Sequence, residues 1–436
     1  MRKGGVFGVI QLPAEELPKH YYNILPDLPE KLPFPLNPGT MQPVKPQDFE
    51  VLFPKECIKQ EFSSESFIRI PEELREQYIF LGRPRPLYRA FRLEKKLGLP
   101  QGIEIYYKRE DLSPVGSHKP NTALAQAFYA KKQGFENVAT ETGAGQWGSA
   151  VSLAAMFNEL KAEVFMVRSS FQQKPYREIL MNLFGAKVFA SPSENTSIGK
   201  QLLKDKKNFN GSLGIAISEA IEKAVSDEKT FYSIGSVLNH ALLHQTVIGL
   251  ETIKQFESIE KKPDTIIGCV GGGSNFSGLV YPFMKEKLKG KQDFEVIAVE
   301  PEVVPTLTKG EYKYDFGDTG KMTPLIKMFT VGFDFIPEPI HAGGLRYHGA
   351  SPSLSLLKKL GFLNAVAYSQ EKTFEAARLF ANSEGIIPAP ETAHAIKAVV
   401  DVALKAKKEN EQKIILFNFS GHGLLDLPAY KNFKGL

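Results

Sequence analysis

From about residue 100 onward the chain alternates short apolar segments with longer amphipathic ones, and this rhythm limits the fold more than any other feature. Residues 137–142, 162–168, 186–190, 264–270, 294–300 and 412–419 read as strands. Residues 119–133, 147–160, 173–184, 275–288, 371–384 and 391–408 read as helices. Pro120 falls in the first turn of the first helix and Gly134 just past its end, where each residue is best tolerated. Short apolar strands interleaved with helices imply parallel sheets covered on both faces. The expected class is therefore α/β. A length of 436 residues exceeds one ordinary domain, so two three-layer domains are expected, over 86–230 and 231–436.

Residues 1–85 break the rhythm. Nine prolines from Pro13 to Pro46 punctuate this stretch and disfavour long regular elements. It reads as a wrapping arm or interface element, with nothing that suggests chemistry.

Composition removes several function classes. The net charge of +5 is small for this length and the basic residues are scattered, which argues against a nucleic-acid partner. The tightest basic run, around 204–207, reads as a solvated face. Cys57 and Cys269 stand alone, without a second ligand at metal spacing, so neither a disulfide framework nor a metal site is expected. The apolar run at 4–10 is too short for a secretory segment, and no stretch approaches the length of a membrane span. A cytoplasmic protein is expected.

In open α/β folds ligands bind beyond the carboxyl ends of strands. Three glycine-rich turns sit there. Thr142, Gly143, Ala144, Gly145 and Gln146 join strand 137–142 to a helix, and backbone N–H groups at a helix start attract anions. Gly271, Gly272, Gly273, Ser274 and Asn275 follow strand 264–270 and suit a phosphate monoester. Phe276 excludes the dinucleotide fingerprint, and the absence of Gly-Lys-Ser/Thr excludes a Walker loop. Ser420-Gly421-His422-Gly423 closes the last strand and presents a hydroxyl. The fourth component is Lys119, in Ser117-His118-Lys119-Pro120-Asn121. A lysine at a helix start is electrostatically misplaced as a surface residue. As an imine-forming amine it gains, because positive surroundings favour the neutral, nucleophilic form.

Taken together and in order, SHKPN at 117–121, ETGAGQ at 141–146, GGGSN at 271–275, EGIIPAPE at 384–391 and SGHG at 420–423 resemble the tryptophan synthase beta chain family. The long N-terminal extension and Trp147 resemble its second type. The resemblance implies a fold-type II pyridoxal-phosphate enzyme joining indole to L-serine to give L-tryptophan. It implies that Lys119 carries the cofactor as a Schiff base and moves the Cα proton, and that Glu141 is the acid–base group. His118, Asn121, Gly271, Gly272, Gly273, Ser274, Asn275, Glu391 and Ser420 would hold the cofactor. Thr142, Gly143, Ala144, Gly145, Gln146 and Trp147 would receive substrate. A homodimer is implied, while a monovalent cation and a weak or transient alpha-chain partner are left open.

Three departures from the common type stand out. Trp147 replaces a histidine, as a core aromatic or as a wall of the indole pocket. Arg346 stands where the common type has an aspartate, and its guanidinium could pair with a phosphate, which points to O-phospho-L-serine as a substrate beside or instead of serine. His422-Gly423-Leu424 replaces a charged run and puts lid contacts and alpha-chain communication in doubt. Two other readings compete. One is a serine or threonine deaminase or synthase of the same fold type. The other is a non-catalytic α/β binding protein whose glycine turns are structural.

Overall fold

The computed structural model describes residues 8–204, 209–431 and 433. Residues 1–7 and most of the basic run at 204–207 lie outside the described residues. Two sheets organise the chain. Seven strands form the larger one, in the order Val9–Ile10, Leu87–Arg89, Ile103–Arg109, Lys413–Phe419, Thr265–Cys269, Glu295–Pro301 and Asn364–Tyr368. The first two pairings are antiparallel and the rest parallel. Lys187–Ser191, Lys161–Val167, Asn137–Thr142 and Thr230–Tyr232 form the smaller, all-parallel sheet, in that order.

Burial explains the strand compositions. All five residues of Thr265–Cys269 are buried, as expected of a central parallel strand with helices on both faces. Helices Ser274–Leu288 and Pro390–Glu409 both pack on this strand. Helix ends follow local chemistry. Pro120 and Pro390 occupy first turns, and Gly134 closes its helix at φ 98°.

The domain division expected at 86–230 and 231–436 does not match how the sheets assemble. Leu87–Arg89 and Ile103–Arg109 belong to the larger sheet, where Tyr107 lies opposite Phe417 and Ile105 opposite Ile415. Strand pairing is non-local. Sequence shows that 103–109 is a buried strand only once its partner is known, and that partner lies some three hundred residues away.

The N-terminal extension has only short elements, including helices Lys55–Glu61 and Glu72–Phe80 and the turn Pro46–Phe49. It is nevertheless part of the core. Val44, Phe49, Phe53 and Ile58 pack with Phe165, Ile217, Tyr232 and Ile326 beneath the smaller sheet. No helix among the described residues is long and apolar enough to cross a membrane.

Candidate active site

The start of helix Pro120–Gln133 is held against the end of the last strand. The His118 N–H donates to the Ser420 carbonyl at 3.0 Å, and the His422 N–H donates to the Gly116 carbonyl at 3.0 Å. The C-terminal SGHG turn is therefore not a loose end. It fixes Lys119 in space.

Lys119 lines two adjoining cavities. One, of about 400 Å³, is walled by His118, Cys269, Gly271 to Asn275, Glu391 and Ser420. The other is larger, mostly apolar, and carries Glu141. Enclosure by protein pushes the Lys119 amine below its usual range; Glu391, Cys269 and Glu141 oppose the shift and Arg177 adds to it. His118 is driven to about 3, by burial first and then by the nearby Lys119 charge, so its ring is neutral.

The smaller cavity has the shape and donors for a phosphorylated aldehyde. A Cβ on Gly271 would lie 2.4 Å from the Gly344 carbonyl oxygen, and one on Gly272 would lie 2.5 Å from Ser236 Oγ, so side chains are excluded there. Gly273 adopts φ 108° as the backbone turns into helix Ser274–Leu288, whose start lines the cavity. His118 Nδ1 is buried without a protein partner. Ser420 Oγ sits 2.9 Å from Thr392 Oγ1, a neutral hydroxyl pair. Glu391 accepts from the Gly344 N–H at 2.8 Å and from Gln146 Nε2 at 3.1 Å. Asn275 anchors the loop from within, donating to the Cys269 carbonyl at 2.6 Å while its Oδ1 accepts from Asn418 at 2.7 Å. These residues fit pyridoxal phosphate.

Asn121 is a correction. Its side chain donates to Glu110 and Gln245 and accepts from Arg83 Nη1 at 2.9 Å, and it does not line the cavity. All its hydrogen-bonding capacity serves a buried cluster in which Arg83 bridges Glu110 and Glu251, and Lys108 also reaches Glu251. Two residues' rotation around the helix separates Lys119 from this structural face.

Thr142, Gly143, Ala144, Gln146 and Trp147 line the larger cavity, whereas Gly145 turns behind it at φ 89°. Trp147 is both core and wall. It is buried, its Nε1 donates to Thr140 Oγ1 at 2.8 Å, and its ring closes the cavity. Glu141 is buried, and burial pushes its carboxyl up to about 7 even though a hydrogen bond from Tyr232 works the other way. Arg346 lies in neither cavity. It lines a smaller adjoining space with Ser212, Thr319 and His348, which meets the larger cavity at Gly143, Leu213, Gly343 and Tyr347.

Sequence reading missed Phe49, Leu52, Phe53, Tyr232, Ser236 and Ile326. The extension, which showed nothing suggesting chemistry in the sequence, supplies Phe49, Leu52 and Phe53 to one wall of the larger cavity. Only their apolar spacing marked them, and core packing gives the same signal. Ser236 lines both cavities and accepts from the Ser274 N–H at 3.1 Å.

An amine enclosed between a glycine-walled, phosphate-sized cavity and an apolar one defines a class. The chain matches the family "Pyridoxal-phosphate dependent enzyme" over residues 79–421. Its fold is similar to a fungal L-serine ammonia-lyase from Rhizomucor miehei, with TM-score 0.59, 18% identity and coverage of 81% of this chain and 99% of that one. It is also similar to threonine deaminase isoform 2 from Solanum lycopersicum, with TM-score 0.59, 19% identity and coverage of 84% and 95%.

Sequence relatives narrow the class. The chain is 58% identical to tryptophan synthase beta chain 2 of Pyrococcus furiosus over 424 residues, covering 97% of this chain and 94% of that one. It is 58% identical to tryptophan synthase beta chain 2 of Aquifex aeolicus, covering 96% of each. It is 57% identical to the beta chain 2 of Thermotoga maritima, covering 97% of this chain and 99% of that one. The chain belongs to the tryptophan synthase beta chain family.

Proposed function

We infer that this chain catalyses a β-replacement that condenses indole with L-serine to give L-tryptophan. The carrying observation is the position of Lys119 between a polar, glycine-walled cavity and an apolar cavity with a carboxyl group in its wall. Pyridoxal phosphate, when bound, supplies an electron-withdrawing ring that acidifies the Cα–H of the amino acid and lets the β-substituent leave.

The chain's own residues do the rest. Lys119 Nζ would hold the cofactor, take the Cα proton and return it. Its depressed pKa gives it the free amine this needs. Gly271 to Asn275 and the neutral His118 would hold the phosphate, and the neutral Ser420 hydroxyl would meet the pyridine nitrogen. Backbone N–H groups of residues 142–146 would hold the substrate carboxylate. Glu141, near 7, can donate a proton to the departing hydroxyl and then accept from the indole N–H. Phe49, Leu52, Phe53, Trp147 and Ile326 would receive indole and keep water from the site.

Adding serine and then indole to the holoenzyme tests the assignment. Tryptophan is expected in proportion to indole consumed, with loss of the yellow imine absorbance and of turnover in Lys119→Ala. Pyruvate and ammonia from serine, with no tryptophan on adding indole, would establish a deaminase instead.

A second substrate, O-phospho-L-serine, is supported by Arg346. Its Nε is buried without a partner, and no carboxylate lies within ion-pair distance of it among the described residues. A phosphate reaching past Gly143 would supply the missing charge. Turnover of serine and O-phosphoserine should diverge between wild type and Arg346→Ala; an unchanged preference removes this reading. We also propose that the chain acts in the cytoplasm as a homodimer, with at most weak or transient association with an alpha chain, since His422-Gly423-Leu424 stands where the common type has a charged run after SGRG.

A further inference from the structure

Phe49, Leu52 and Phe53, the wall that the N-terminal extension supplies to the larger cavity, are joined to the acid–base group by one side chain. The Leu52 carbonyl accepts from the Tyr232 N–H at 2.8 Å, at the free edge of the smaller sheet. The Phe53 ring packs on the Tyr232 ring with centroids 5.8 Å apart. At the far end of that ring, Tyr232 Oη donates to Glu141 Oε2 at 2.6 Å. Both side chains are buried.

We propose that Tyr232 is a positioning residue for Glu141, and that residues 46–53 of the N-terminal extension clamp Tyr232 in register, which makes the extension a working part of the site. The proposal rests on the reading of Glu141 as the acid–base group.

The electrostatics agree with this geometry. The groups facing Glu141 are Lys119 from the start of its helix, Tyr232 from strand Thr230–Tyr232, and Tyr347 from the loop after Gly343–Leu345. Asp318 acts more remotely, on Tyr232 and Tyr347, while Glu391 and Arg177 act on Lys119. The extension contributes only apolar groups to this wall. Burial favours the protonated form of Glu141, and the Tyr232 hydroxyl and Lys119 oppose it. Removing the hydroxyl therefore leaves burial less opposed, and the carboxyl ionises at higher pH.

Indole needs the ionised carboxylate as its acceptor, so the acidic limb of the indole-dependent rate reports this group. In the holoenzyme, Tyr232→Phe keeps the ring and its packing. Its acidic limb in kcat is expected to move up by about one pH unit, with KM for indole changed less than about threefold. Phe53→Leu, which loosens the clamp while keeping an apolar wall, should move the limb the same way by less. A Tyr232→Phe profile that superimposes on wild type, or a raised KM with an unmoved limb, would overturn the positioning role. An unmoved limb in Phe53→Leu alone would overturn the extension's part in it. Glu141→Gln separates the underlying reading: a wild-type limb in that variant would remove Glu141 from acid–base chemistry, and the proposal with it.

Discussion

The phosphate-type loop can be probed at one atom. In Gly271→Ala the new Cβ would stand 2.4 Å from the Gly344 carbonyl oxygen and 3.2 Å from Leu345 Cα. Both are backbone atoms, so no rotamer change relieves the contact. Gly271 is not in the left-handed region, so backbone strain adds nothing and crowding alone acts. The opposing turn is itself tied down, because the Gly344 N–H donates to Glu391 at 2.8 Å. Forcing an extra methyl into such packing costs about 1–3 kcal/mol, a roughly 5- to 150-fold change in an equilibrium constant if it falls on the cofactor-loaded geometry. Pyridoxal phosphate titrated into the cofactor-free variant, followed by its imine absorbance, should give a Kd raised within that range. Thermal unfolding in the presence of cofactor should show a smaller stabilisation than in wild type. An unchanged Kd together with an unchanged Tm would refute the close approach of the two turns.

Other perturbations separate the remaining roles. Glu141 binds a proton in the fold up to about pH 7, against an ordinary 4.5, so its contribution to stability is complete below 4.5 and is lost as pH rises towards 7. Glu141→Gln should flatten that decline by on the order of 3 kcal/mol at most, read from denaturant unfolding at pH 5 and pH 8; an equal slope in both proteins would contradict the raised pKa. Asn121→Ala should lower stability by about 2–3 kcal/mol by leaving Arg83 and Glu110 short of a partner, with little change in cofactor Kd. A large Kd change with normal Tm would return Asn121 to the cofactor site. Trp147→Phe loses the 2.8 Å bond to Thr140 and part of the cavity wall, and KM for indole should rise about three- to tenfold with less effect on kcat.

The motifs that line the two cavities were legible along the chain because each is local. A strand followed by three glycines and an N-capping pair builds a phosphate cradle from consecutive residues, and the lysine before Pro120 betrays itself by its unfavourable place at a helix start. The elements around these motifs follow from apolar periodicity and from proline and glycine stops, and they lie within a few residues of where the sequence puts them. Asn121 shows the limit: it lies only two positions after Lys119, but a helix turns about 100° per residue, and the face it occupies belongs to Arg83 and Glu110.

What the sequence alone determined was the α/β rhythm and the family, since each depends on short runs of residues. Only the tertiary structure decided that strand Ile103–Arg109 joins the larger sheet, that Arg346 sits in a side space, and that Phe49, Leu52, Phe53 and Tyr232 wall the cavity around Glu141. Those outcomes depend on contacts between residues tens to hundreds of positions apart. A buried phenylalanine in a proline-rich arm carries the same local pattern whether it faces a core or a substrate, and only the packing of the whole chain around it makes the difference.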